Sequence, residues 1–85
     1  MMFSVIWHPK ARKSMKRLER SLASRIFKKV DELREDPFRF VERLHGYDVY
    51  KLRVGPYRVL RDIDMATTTI EIQMVDHRKR IYKEL

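Results

Sequence analysis

The hydrophobic pattern of this chain changes period along its length. Phe3, Val5 and Trp7 alternate with Ser4 and Ile6 in a run of mostly strand-forming residues, which predicts a short strand from Phe3 to Trp7. The period then lengthens. Ala11, Met15, Leu18 and Leu22 recur three or four residues apart, so a helix is predicted from Pro9 to about Arg20. Proline suits the first turn of such a helix. Ser21 is a candidate cap for a second helix, whose apolar stripe is Leu22, Ile26, Val30 and Leu33. Asp36-Pro37 ends it, because the residue before proline avoids the helical region.

A connector, Pro37 to Asp48, carries Gly46 as a turn residue. Three strands are predicted after it: Val49 to Val54, Tyr57 to Ile63, and Thr68 to Val75. Gly55-Pro56 joins the first two as a tight turn. Asp64 to Thr67 joins the next two without a glycine to define its geometry. The tail from Asp76 to Leu85 is basic and reads as a short helix or an extended arm. The order β-α-α-β-β-β predicts an α+β fold. An N-terminal helical hairpin packs on one face of a mainly antiparallel four-stranded sheet.

A two-residue turn at Gly55-Pro56 pairs Val54 with Tyr57 and places Arg53 opposite Arg58. Tyr50, Leu52, Val54, Tyr57, Val59 and Ile63 then face the helices. Val49, Lys51, Arg53, Arg58, Leu60 and Asp62 share the other face. Alternation puts Arg61 on the core side, where it either snorkels to the edge or is redirected by a bulge. Two arginines directly opposed destabilise a strand pair, and Lys51 adds a third positive charge to that face. Asp62 or Glu71 would neutralise part of it. A fold gains nothing from this arrangement, whereas arginine forks bind phosphate oxygens in pairs. A last strand paired beside the hairpin would bring His77, Arg78 and Tyr82 to the same surface. An aromatic ring there can stack on a base, worth roughly 1–3 kcal/mol.

Composition narrows the partner. With 85 residues, the chain reads as one domain, 1–85, with one modest core. Twenty basic residues against 12 acidic give a net charge of +8, which points to an anionic partner. The absence of cysteine excludes disulfides and thiolate metal sites and fits a reducing cytoplasm. No apolar run reaches the length of a membrane span, and the apolar start is too short and too soon charged for a signal peptide. The three histidines lack metal-ligand spacing, and there is no glycine-rich phosphate loop. No metal and no cofactor are therefore expected. Lys10, Lys13, Arg17, Lys28, Lys79 and Arg80 are candidate contacts to RNA or the ribosome. The plainer reading of the helical ones is a solvated face.

Leu44-His45-Gly46 leading into the segment Tyr50 to Arg58, together with the tail His77 to Tyr82, resembles the RelE-type toxins of the RelE/ParE toxin–antitoxin superfamily. The resemblance spans essentially the whole chain. It implies a small cytoplasmic toxin silenced by a RelB-like antitoxin, with operator DNA reached only through that antitoxin and no membrane involved. It implies ribosome and messenger RNA as further partners, and metal-independent cleavage of the message in the ribosomal A site by attack of a 2′-hydroxyl. By motif, Lys51, Arg53, Arg58, Arg78 and Tyr82 are the catalytic candidates. Arg58 would stabilise the phosphate with Arg53 assisting, Arg78 would sit by the leaving group, and Tyr82 would stack on a base or orient the hydroxyl. Arg53 stands where the best-known branch has lysine, and arginine does not readily give up its proton. Lys51 and His77 are the candidate bases. A ParE-like inhibitor of DNA gyrase and a non-catalytic RNA-binding relative are the alternatives within the same fold.

Overall fold

A computed structural model of the protein describes residues 2–39, 42–43 and 49–81. The elements are β1 (Ser4–Trp7), α1 (Pro9–Lys16), α2 (Arg20–Glu32), β2 (Glu42–Arg43), β3 (Tyr50–Val54), β4 (Tyr57–Asp64) and β5 (Thr69–His77). The strands form one mixed sheet in the order β1-β5-β4-β3-β2. β1 runs parallel to β5, and the other pairs are antiparallel. The expected α+β architecture stands, with one strand more than expected. β2 lies inside the predicted connector, where its two residues pair with Tyr50 and Lys51. A strand that short has no period to read.

The helical hairpin differs in its break. His8 caps α1, its Nδ1 accepting from the Lys10 amide at 3.4 Å, and Pro9 follows in the first turn. The helix stops at Lys16 rather than near Arg20. The amides of Arg17 and Leu18 close it by donating to the carbonyls of Ser14 and Met15, at 3.1 and 3.2 Å. Glu19, not Ser21, occupies the cap position of α2, and Ser21 lies within the helix. Packing explains the early break. Ala11 and Met15 of α1 and Ile26 and Val30 of α2 all enter one core with Leu52, Val54, Val59, Ile70, Ile72 and Val75, so the chain must reverse between the helices.

One irregularity sets the faces of the sheet. β4 alternates strictly against β3, with Lys51 opposite Leu60 and Tyr50 opposite Arg61. Against β5 the register slips: Leu60 faces Met74, but Arg61 faces Ile72, which leaves Gln73 as the extra residue of a bulge. Ile70, Ile72, Val75 and His77 therefore share the helix side, while Met74 and Asp76 turn to the other. Arg61 neither snorkels nor changes face. It stays on the helix side, fully buried. Its Nη2 donates to the carbonyls of Pro37 and Arg39, both at 3.4 Å, while Nε and Nη1 have no hydrogen-bond partner. Burial lowers its pKa to about 10.

The face away from the helices is not bare. Leu60 and Ile81 are buried there together, with Val49 and Met74 packed around them. Residues 78–80 form a turn that brings Ile81 back over the sheet. Tyr82 to Leu85 and the segment Leu44-His45-Gly46 lie outside the described residues. No helix of the structure is long and apolar enough to cross a membrane.

Candidate nucleic-acid interface

The site is built on the β3–β4 hairpin. Gly55 adopts φ 56°, a left-handed conformation that glycine enters without a side-chain clash, and this permits the tight turn. The turn fixes the register that sets Arg53 directly opposite Arg58, with Lys51 two positions along the same face. The Arg58 Nη1 donates to the carbonyls of Gly55 and Tyr57, at 3.0 and 2.9 Å, which folds the guanidinium back over the turn. Arg53 is exposed. Lys51 is mostly covered, and its Nζ lies 3.5 Å from Glu42 Oε1 across the β2–β3 pair.

The tail is tied to the same turn. The Arg78 amide donates to the Pro56 carbonyl at 2.8 Å, so Arg78 begins its exposed turn beside the hairpin tip. The carboxylate opposite Arg58 is Asp76, not Asp62 or Glu71, which face each other further along the strands. Asp76 Oδ1 accepts from the His77 amide at 2.7 Å and lies 3.6 Å from Arg80 Nε. Asp62 accepts from the Gln73 side chain at 2.5 Å.

His77 does not join this group. The bulge at Gln73 puts it opposite Tyr57, on the helix side, with the two rings 5.5 Å apart and nearly perpendicular. Its Nδ1 accepts from the Lys79 amide at 3.1 Å. Strict alternation along β5 would have delivered His77 to the face of Arg53 and Arg58; the extra residue reverses it. Tyr82 falls outside the described residues, so its place relative to Arg58 belongs to the proposal below.

The basic residues expected to contact RNA fall in three places. Lys10 and Lys13 of α1 and Arg17 just past its end line a cleft of about 320 Å³ with Arg80, Tyr57 and Asp76. Lys28 lies elsewhere, in a cleft where α2 meets the edge of β3. Lys79 is exposed in the tail turn. Among the described residues, no group of three or more histidine or acidic side chains could hold a metal ion.

Sequence reasoning missed three members of the site. Glu42 was hidden by the shortness of β2, and Asp76 by the bulge. The Ile81 contact had a usable signal: Val49 and Leu60 share the outer face, and a large apolar patch there needs a cover.

The family model for the ParE toxin of type II toxin–antitoxin systems matches residues 5–82. No curated protein matches the chain significantly. Among solved structures, a chain of the toxin–antitoxin complex RelBE2 from Mycobacterium tuberculosis is 27% identical, with TM-score 0.81, covering 92% of this chain and 93% of that one. A chain of the archaeal RelE–RelB complex from Pyrococcus horikoshii is 26% identical, with TM-score 0.83 and coverage of 94% and 99%. The intact RelBE complex of E. coli shares the fold at 20% identity, with TM-score 0.80 and coverage of 88% and 95%. The chain belongs to the ParE toxin family of type II toxin–antitoxin systems, within the RelE/ParE superfamily.

Proposed function

We propose that this toxin acts in the cytoplasm as a ribosome-dependent endoribonuclease that cuts messenger RNA in the A site without a metal ion. The observation that carries this reading is the pairing of Arg53 with Arg58, next to Lys51, on a sheet face turned away from the helices. Two arginines held directly opposite each other make a preformed site for a phosphate whose charge grows in the transition state.

In this reading the 2′-hydroxyl of the message attacks its neighbouring phosphate in line, forming a 2′,3′-cyclic phosphate, and the 5′ oxygen leaves with a proton taken from water. Arg58 and Arg53 stabilise the phosphoryl oxygens. Arg78, anchored at the hairpin tip, stands by the leaving group, and Tyr82 stacks on a base or orients the hydroxyl. Lys51, in its uncharged amine form, takes the 2′ proton. Of the two candidate bases, it alone shares a face with Arg53 and Arg58. A cognate antitoxin would silence the site; the similar solved structures include complexes of RelE with RelB.

A second reading has its own support, because the matching family model is that of ParE. In that reading the toxin binds and inhibits DNA gyrase, and the basic hairpin has no catalytic part. Induction followed by primer extension on a translated message separates the two. Cuts linked to codon position support the nuclease; gyrase-linked DNA damage with intact messages supports the inhibitor.

A further inference from the structure

We propose that the cleft between α2 and the outer edge of β3 holds backbone phosphates of RNA adjoining the cleaved one, an inference that rests on the RNA-cleaving reading above. Arg25, Lys28, Lys29 and Glu32 stand three, four and seven residues along α2 from Arg25, which puts them in one stripe. Across a cleft of about 280 Å³ this stripe faces Arg53, Val54 and Gly55. The Arg25 guanidinium lies over the hairpin turn: a Cβ placed on Gly55 would sit 3.7 Å from both its terminal nitrogens. β2 pairs with Tyr50 and Lys51 only, so among the described residues no strand covers that edge from Leu52 to Val54.

Four cations line it against one carboxylate, Glu32. Arg25 opposes Lys28 and Lys29 at these helical spacings while Glu32 pairs favourably with both, so the lining keeps an excess of positive charge that an anion complements. Arg53 belongs to both places. It faces Arg58 across the strand pair and also lines the cleft, so positive charge runs without a gap from the proposed cleavage site onto α2. Among the described residues the lining has no aromatic ring, and Val54 is its one branched apolar side chain. It therefore offers neither a stacking platform for a base nor the buried anchor on which peptide interfaces depend. The ligand chemistry that fits is the phosphodiester backbone, held without regard to sequence.

The test is binding of the full chain to a single-stranded RNA oligonucleotide, without ribosomes, across a range of salt. Combining Arg25→Gln with Lys28→Gln removes two phosphate contacts. The slope of log affinity against log salt should then fall by about 1.4, at about 0.7 per contact on a single strand. Both side chains are exposed, so the fold should survive their loss. Glu32→Gln reads the same cleft in the opposite direction and should tighten binding. An unchanged slope, with no effect of Glu32→Gln, overturns the cleft and leaves the cleavage reading standing. The expected slope change in a protein that cuts no translated message supports the cleft and sinks only the cleavage reading. A wild-type chain that does not bind the oligonucleotide at low salt overturns the cleft. So does a polyglutamate peptide whose binding is weakened by the double variant while RNA binding is unaffected; the occupant is then an acidic protein.

Discussion

Arg53 and Arg58 occupy directly paired positions of the β3–β4 ladder, like charge against like. Such a pair works against the sheet, so Arg53→Thr should stabilise the fold by about 0.2–1 kcal/mol in urea denaturation. The same change removes a charge-assisted contact to phosphate. Message cleavage should fall roughly 10- to 100-fold, from the usual worth of such a bond. A variant both less stable and fully active would mean that Arg53 serves the fold instead.

Ile81 seals Leu60 on the face that carries the arginines. It also directly precedes Tyr82. Ile81→Ala should release the tail from the sheet, which faster amide exchange after Arg78 would report. Turnover should fall while affinity for RNA, set by the hairpin cations, changes little. Equal losses in both would place Ile81 in the general stability of the domain and not in the positioning of the tail.

Lys51 and His77 stand on opposite faces of the sheet. Lys51→Met should therefore abolish most cleavage, while His77→Gln should leave it within a few-fold of the wild type. We would measure single-turnover cleavage on programmed ribosomes for both. The reverse ranking would move proton transfer to the helix side of the sheet.

Arg61 is a fully buried cation with two nitrogens unpartnered. Arg61→Met keeps the volume and removes the desolvated charge, and should raise stability by on the order of 1 kcal/mol or more. The pH dependence has a definite sign. Its pKa is lowered to about 10 in the folded chain, so the penalty is complete below that pH and is relieved as pH rises through it. The stability gap between variant and wild type should narrow above about pH 10. A destabilised Met variant would show that the charge has a carboxylate partner.

The hairpin was legible because its register follows from two residues, Gly55 and Pro56, and a period-two pattern on each side. The elements hidden from the sequence were those that periodicity cannot carry. β2 has two residues and pairs only through tertiary contact. The end of α1 falls among Arg17, Leu18 and Glu19, all good helix formers, and is set by the need to fold both helices onto one core. The bulge at Gln73 leaves no mark in composition, yet it exchanges the faces of Asp76 and His77 and thereby decides which candidate base can reach the phosphate. Arg61 defied hydropathy outright.

The assignment of this toxin as a nuclease turns on Arg58. The most direct measurement is primer extension on a message translated by purified ribosomes, with wild-type protein and Arg58→Ala side by side. The side chain bonds to the carbonyls of its own turn and is not part of the core, so the variant should keep the wild-type circular dichroism. We expect codon-linked cuts by the wild type, and their loss by about 100-fold or more in the variant. Full cleavage by a folded Arg58→Ala protein would contradict it.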